Sequence, residues 1–250
     1  MANSTSGESV AERIVRVLET FDADRSAQTP SDIARRAGLP TSTAHRLVGE
    51  LVATGLLDRD DSGRVLLGMH LWEVAQRGSR ALRLRQAALP FMERVQTRVR
   101  EHTQLAVLEQ GEALFLERLS HPHAVSNITR IAGRLPLHAS SSGLVLLAFA
   151  DAGLRERVLA SPLAAVTPDT VTDPRELEAL LARIRREGLV VARGFVEPVS
   201  TGIAVPIRQR RDVIAALSVV LPREAPTAGA VDELRRAAAA VGRVLAGPED

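Results

Sequence analysis

The sequence predicts an α+β protein with a small N-terminal domain, a linker helix and a larger C-terminal α/β domain. Three observations predict this organisation. Residues 8–69 follow the order helix, short helix, glycine turn, helix and hairpin. Residues 70–86 continue with a helical pattern. From residue 103 onward, short apolar β-branched runs mix with helical stretches, which is typical of one domain built on a sheet covered by helices.

The composition excludes several classes of function. The chain has 250 residues, of which 45% are hydrophobic and 25% charged, enough for one or two globular domains. It contains no Cys, which excludes disulfides, thiolate metal sites and cysteine nucleophiles. With no Tyr and 2% aromatic residues, a stacking platform for single-stranded nucleic acid is not expected. Neither a membrane span nor a signal peptide is evident, so we expect a cytoplasmic protein without a membrane partner.

The N-terminal domain is predicted element by element. Residues 1–7 have the composition of a disordered tail. In the second helix, Thr29 is a suitable N-cap, Pro30 suits the first helical position and Gly38 permits a tight turn. The predicted elements are helices over 8–22 and 30–37, a third helix that opens within 39–43 and runs to about residue 55, and a two-stranded hairpin over 56–67.

The linker helix is predicted over 70–86, within a helical run that Pro90 is expected to interrupt. The C-terminal domain is predicted to span 87–247. Its expected strands are 104–109, 112–118, 125–132, 189–197, 202–207 and 213–221, and its expected helices are 140–149, 151–160, 174–187 and 229–246.

The N-terminal elements together indicate a winged helix-turn-helix. The short helix and the third helix meet at Gly38, so the first turn of the third helix projects outward and fits the major groove of DNA. Arg46 is the leading candidate for a base contact, because the guanidinium fork matches guanine edges. The candidate DNA-binding residues are Arg35, Thr41, Ser42, Thr43, His45, Arg46, Arg59 and Arg64.

Two other functions stay open. Residues 1–78 carry nine Arg against eleven Asp plus Glu, a net charge of −2, so the winged helix could serve dimerisation in a ligand-sensing module. A hydrolase centred on Ser141 is disfavoured, because Ala139 stands where the nucleophile elbow needs glycine. His121 and His123 lack further metal ligands nearby. We therefore expect neither catalysis nor a cofactor or metal.

The run from Asp32 to Leu47 resembles the DNA-binding motif of the IclR family of bacterial transcription regulators. The stretches 133–140, 167–174 and 215–219 resemble that family's effector-domain motifs in order and spacing. The resemblance extends from residue 9 to about residue 246. It implies a winged helix-turn-helix, a linker helix and a GAF-like effector-binding domain, in dimers or tetramers that bind double-stranded palindromic operators. It implies a ligand-responsive regulator, and we favour repression over activation.

The resemblance also implies a small-molecule pocket. The chain departs from the family there, because the family's Gly-Lys is Gly143-Leu144 here and a common acidic run is replaced by residues that include Arg193. A neutral rim with Arg193 as a cation favours an anionic or aromatic effector. The candidate effector-binding residues are Ser140, Ser141, Ser142, Arg193, Gly202, Ser218 and Val220.

Overall fold

The computed structural model describes residues 7–22 and 24–247. The tail predicted over residues 1–7 lies outside this part of the chain, apart from the exposed Gly7. The chain divides into two compact units, Met1–Ser79 and Arg80–Asp250. Within the described ranges, no helix is both long and apolar enough to cross a bilayer.

The first unit contains the three helices and the hairpin that the sequence predicts, followed by a further helix. Its elements are α1 (Val10–Leu18), α2 (Pro30–Ala37), α3 (Thr41–Ala53), β1 (Leu57–Arg59), β2 (Val65–Leu67) and α4 (Met69–Gln76). The two strands pair antiparallel. This arrangement is a helix-turn-helix with a wing.

Local chemistry fixes the boundaries of α2. The Thr29 side chain accepts a hydrogen bond from the Asp32 backbone N–H over 3.1 Å, and Pro30 occupies the first turn. The helix ends at Gly38, whose φ of +60° is easily reached only without a Cβ. The core of the unit joins α1, α2, α3 and the wing through Val17, Ile33, Ala37, Leu47, Val48, Leu51, Leu57 and Val65. One face of α3 is thereby buried and the other remains exposed.

The predicted linker helix over 70–86 is not continuous. After α4 the chain leaves the helical conformation at Arg77, with ψ of 97°, and Gly78 has φ of +80°. Helix α5 (Arg80–Val99) then begins and runs through Pro90, where an interruption was expected. Proline removes one helical hydrogen bond. Because Pro90 is exposed while Ala88 and Met92 beside it are buried, packing holds the helix together there.

The second unit is built on a six-stranded antiparallel sheet with the strand order β5-β4-β3-β8-β7-β6. The elements that follow α5 are β3 (His102–Glu109), β4 (Glu112–Leu119), β5 (Arg134–Pro136), α6 (Ser141–Phe149), α7 (Ala152–Ala160), α8 (Pro174–Glu187), β6 (Val190–Arg193), β7 (Ser200–Gln209), β8 (Asp212–Pro222) and α9 (Ala228–Ala246).

Each face of this sheet has its own apolar core. Ile203, Val205 and Ile207 of β7 pack with α5 and α9. Ala204, between them, packs on the opposite face with α6 and α8. The alternation follows from the pleat of a strand, which points successive side chains to opposite faces. Helices on both faces of a sheet confirm the α+β class and the α/β character of the C-terminal domain.

The strand predicted over 125–132 is wrong. These residues belong to a loop, residues 120–133, which precedes the short strand β5. Side chains supply the partners that a strand would find in a neighbour. The Val125 backbone N–H donates to Glu101 over 3.0 Å, and the Val125 carbonyl lies 2.6 Å from His102 Nε2. Arg118 donates to the carbonyl of Asn127 over 3.4 Å. The apolar and β-branched residues of this segment therefore lie in an irregular loop, in which Ile128 and Ile131 are exposed.

Candidate nucleic-acid interface and ligand cavity

Helix α3 presents a polar face to solvent. Its buried side consists of Ala44, Leu47, Val48 and Leu51, which follow the helical repeat. Of the predicted contact residues on this helix, Thr41, Ser42, His45 and Arg46 are exposed, and Thr43 is half-buried. Pro40 gives the helix no side-chain cap, so its first-turn N–H groups face outward unpaired by a capping side chain. Hydroxyls, an imidazole, a guanidinium and a helix N-terminus thus share one face.

All four predicted DNA-binding arginines are exposed, and each has an intramolecular partner. Arg35 pairs with Asp32 over 2.6 Å, Arg46 with Glu50 over 2.5 Å, Arg59 donates to the Gly63 carbonyl over 3.2 Å, and Arg64 donates to Ser62 over 3.3 Å. Such exposed contacts contribute little stability. The guanidinium groups are therefore oriented by their neighbours and can exchange those neighbours for phosphate or base.

Two carboxylates at this surface are held in their charged form. The Ser62 hydroxyl hydrogen bond lowers the pKa of Asp60 at the tip of the wing. The hydroxyl of Thr29, followed by the guanidinium of Arg35, lowers the pKa of Asp32. Both groups remain ionised at neutral pH, so the local positive charge around Arg35 and Arg64 is partly cancelled. The face of α3 itself carries one acid, Glu50.

The second unit contains a cavity of about 30 Å³ on the α6 side of its sheet. The walls come from the sheet, the start of α6, the 120–133 loop and the segment after β6. The lining residues are Gln104, Phe115, Asn127, Thr129, Leu135, Ser140, Ser141, Ser142, Ala192, Phe195, Val196, Glu197, Ser200, Gly202 and Val220.

The floor of the cavity is a row of small side chains across three strands. Ala192 of β6 pairs with Gly202 of β7, which pairs with Val220 of β8. A Cβ added at Gly202 would lie 2.7 Å from Ser141 Oγ, closer than van der Waals contact allows. The absence of a side chain at this position therefore makes room for the Ser141 hydroxyl.

Three consecutive serines form the polar wall. Ser140 is the N-cap of α6 and accepts a hydrogen bond from the Gly143 N–H over 3.0 Å. Ser141 and Ser142 occupy the first turn, and all three side chains are buried. Backbone N–H groups and the helix dipole make a helix N-terminus favourable for an anion. This wall offers neutral donors to a carboxylate.

Five of the seven predicted effector-binding residues line the cavity, namely Ser140, Ser141, Ser142, Gly202 and Val220. Ser218 lies below the surface, fully buried, and accepts a hydrogen bond from Ser142 over 2.9 Å. The expectation of Arg193 as a cation at the rim is wrong, because the neighbouring Ala192 faces the cavity and Arg193 is exposed outside the lining. Within the part of the chain that the structure describes, Glu197 is the only charged residue of the lining.

Two threonines hold the segment after β6 in place. Thr167 donates to the Gly194 carbonyl over 2.6 Å, and Thr170 donates to the Phe195 carbonyl over 2.7 Å. Asp169, between them in the chain, pairs with Arg223 over 2.6 Å, and this hydrogen bond lowers the pKa of Asp169. The conformation of Phe195, which lines the cavity, thus depends on the motif at 167–174.

Comparison with known families decides the interpretation of these two surfaces. Residues 10–61 match the IclR helix-turn-helix domain, and residues 78–245 match the bacterial transcriptional regulator IclR C-terminal domain. The chain belongs to the IclR family. It is an IclR-family transcriptional regulator with a helix-turn-helix domain and a ligand-binding C-terminal domain, as the resemblance of its motifs implied.

Individual IclR-family relatives cover between 70% and 95% of the chain. An IclR homolog from Microbacterium hydrocarbonoxydans, crystallised in complex with 4-hydroxybenzoate, is 62% identical with a TM-score of 0.91, covering 94% of this chain and 98% of its own. The transcriptional regulator XynR of Escherichia coli is 29% identical over 95% of this chain and 97% of its own. The transcriptional repressor IclR of Escherichia coli is 27% identical over 70% and 66%. These relatives are regulators, which agrees with the expectation of no enzyme.

Sequence reasoning missed the polar residues that the 120–133 loop and β3 contribute to the cavity. Asn127 and Thr129 fall in the segment wrongly assigned to a strand, and Gln104 is the first residue of a predicted strand to which no site role was given. Gln104 is 3% exposed, and an amide buried in an apolar strand is itself a signal of a polar network.

Proposed function

We propose that the protein is a repressor that binds a palindromic operator as a dimer or tetramer and responds to a small aromatic carboxylate. The observation that carries the proposal is the cavity, whose apolar floor meets a wall of neutral donors at the start of α6. Repression is supported by the similarity to the IclR repressor of Escherichia coli. The effector class is supported by the 4-hydroxybenzoate complex of the 62% identical homolog.

On DNA, we propose that α3 enters the major groove. Arg46 contacts a base edge, while Thr41, Ser42, Thr43 and His45 contact base edges or phosphates through the exposed first turns. Arg35, Arg59 and Arg64 contact phosphates from α2 and the wing. In a dimer, two such helices read half-sites about one helical turn apart or a multiple of it.

In the cavity, we propose that the effector carboxylate binds the N-terminal turn of α6. The Ser140 and Ser141 hydroxyls and the backbone N–H groups of Ser141 and Ser142 supply the donors, because the lining, among the described residues, contains no cation. The aromatic ring lies over Ala192, Gly202 and Val220, with Ser218 supporting Ser142 from below. Ligand binding then shifts DNA affinity only as far as it favours one arrangement of the dimer over another.

Self-association is supported by exposed apolar side chains in the first unit. Helix α4 buries none of its residues, and Met69 and Trp72 are 65% and 59% exposed. We propose that a second copy of the chain covers this face, because large apolar groups grouped on a surface mark interaction sites. Light scattering coupled to size exclusion gives the number of chains directly.

Selection from sheared genomic DNA of the source organism tests the function. The purified full chain is mixed with DNA fragments at moderate salt, and the recovered DNA is sequenced. The proposal predicts a recurrent palindromic motif, with an affinity that falls steeply as salt rises. Recovery of no DNA by a folded protein would contradict it and favour a ligand-sensing module whose winged helix only dimerises.

A further inference from the structure

The amide of Asn127, a residue of the cavity lining, carries an unpaired donor. Asn127 Oδ1 accepts hydrogen bonds from the Thr129 backbone N–H over 3.0 Å and from the Thr129 hydroxyl over 2.8 Å. The backbone donor fixes which atom of the amide is oxygen. Asn127 Nδ2 is buried and has no hydrogen-bond partner among the described residues. Buried donors nearly always find a partner, so this nitrogen is suited to an acceptor on a ligand.

A chain of buried hydrogen bonds orients that amide. Ser142 donates to Ser218 over 2.9 Å, and Ser218 donates to Gln104 Oε1 over 3.3 Å. Gln104 Nε2 donates to the Thr129 hydroxyl, which donates to Asn127. The other four members of this chain of hydrogen bonds are each less than 10% exposed, namely Ser142, Ser218, Gln104 and Thr129. Each hydrogen bond in this series is donated in the direction of Asn127. Asn127 Nδ2 is therefore the free donor at the end of the series.

The wall around Asn127 disfavours a carboxylate. Ser126, the preceding residue, donates to Glu197 Oε1 over 2.9 Å, which places the Glu197 carboxylate near Asn127 on the cavity lining. A ligand carboxylate at this wall would meet a like charge. A hydroxyl group can accept from Asn127 Nδ2 and donate to a carboxylate.

We propose that Asn127 is a specificity-determining residue that recognises a hydroxyl substituent on the effector's aromatic ring, while the effector carboxylate binds at Ser140–Ser142. This inference rests on the proposed function, in which the effector is an aromatic carboxylate. It makes the 120–133 loop the part of the cavity that distinguishes hydroxylated from unsubstituted aromatic acids.

Calorimetric titration of the full chain with 4-hydroxybenzoate and with benzoate tests this assignment. The wild type should bind 4-hydroxybenzoate about tenfold or more tightly than benzoate. Asn127→Asp keeps the side-chain oxygen that accepts the two hydrogen bonds from Thr129. It replaces the Nδ2 donor by a second carboxylate oxygen. It should weaken 4-hydroxybenzoate binding by about tenfold or more and change benzoate binding far less, so that the preference disappears.

Gln110→Glu is the matched control, because it makes the same amide-to-carboxylate change on an exposed turn of the same unit and should leave the preference intact. Equal affinities of the wild type for the two acids would overturn the assignment without any variant. Equal losses for both acids in Asn127→Asp, or no loss, would also overturn it while leaving the effector class intact. Binding of neither acid by the wild type would refute the effector class, and this assignment with it.

Discussion

Arg46 and Glu50 form an ion pair one turn apart on the exposed face of α3, with Arg46 Nη1 2.5 Å from Glu50 Oε1. Their side chains are 56% and 54% exposed. An exposed pair of this kind contributes about 0–1 kcal/mol, so Arg46 can leave it for DNA at little cost. Under the proposed docking, Glu50 would restrain the guanidinium before DNA binds and would repel the phosphates once it is bound.

Replacement of Arg46 tests its proposed base contact. Arg46→Ala should cost about 1–3 kcal/mol of binding free energy on the selected DNA and much less on random DNA. Arg46→Lys keeps the charge but loses the planar fork, so it should lose sequence preference as well. Competition binding assays with both DNAs measure the two losses.

Arg13→Ala is the control for loss of one positive charge in the same unit. Arg13 lies on α1 and donates to the Ser9 carbonyl, so its removal should affect both DNAs slightly and equally. An equal loss on both DNAs for Arg46→Ala, restored by Arg46→Lys, would identify Arg46 as a phosphate contact instead.

Neutralising Glu50 should change DNA affinity in the opposite direction to removing Arg46. Glu50→Gln removes a carboxylate from the proposed DNA-facing helix and frees Arg46, so affinity should rise for specific and random DNA alike. The increase should shrink as salt is added, because exposed charges are screened. A loss confined to specific DNA would mean instead that Glu50 orients Arg46 for its base contact.

Gly202→Ala tests the serine wall. The new Cβ must displace the Ser141 hydroxyl, which would lie 2.7 Å away, so affinity for 4-hydroxybenzoate should fall by about tenfold. The free energy of unfolding should change little, because the Ser141 hydroxyl can rotate away and Ser141 Cβ, at 3.1 Å, needs only a small shift. Gly229→Ala, where a Cβ meets nothing within 4 Å, should leave ligand binding unchanged. Unaltered affinity in Gly202→Ala would remove Ser141 from the proposed site.

Ser218→Ala tests the buried hydrogen-bond chain. The change leaves the Ser142 hydroxyl and Gln104 Oε1 without the partners they have in the wild type. We expect the free energy of unfolding to fall by about 1–3 kcal/mol, measured by urea denaturation. Ser161→Ala, which removes an exposed hydroxyl, should stay within about 0.5 kcal/mol of the wild type. Equal stability of the two variants would contradict the role given to the chain.

Local signals predicted the first unit well. Thr29, Pro30 and Gly38 set the ends of α2 through interactions within a few residues, so their pattern is readable without tertiary information. The same reasoning failed at Pro90, because the burial of Ala88 and Met92 by other elements outweighs the missing backbone bond. It also failed at 77–79, where the chain adopts a left-handed glycine in place of a helix.

The cavity was predictable only in part. The serines at 140–142 and Gly202 were found through the resemblance of their motifs, whereas Asn127 and Glu197 reach the cavity through loops whose path depends on distant partners. We expected Arg193 at the cavity, but its neighbour Ala192 occupies that position. Successive side chains of a strand point to opposite faces, so Arg193 points away from the cavity. The described lining therefore carries the carboxylate of Glu197 in place of the expected cation.

The most direct test of the account is fluorescence anisotropy of a labelled operator, taken from the DNA selection, with and without saturating 4-hydroxybenzoate. The account predicts salt-sensitive binding of the operator and a change of about fivefold or more in its Kd when the acid is present. By linkage, the operator must change the affinity for the acid by the same factor. An identical Kd with and without bound acid would contradict the account.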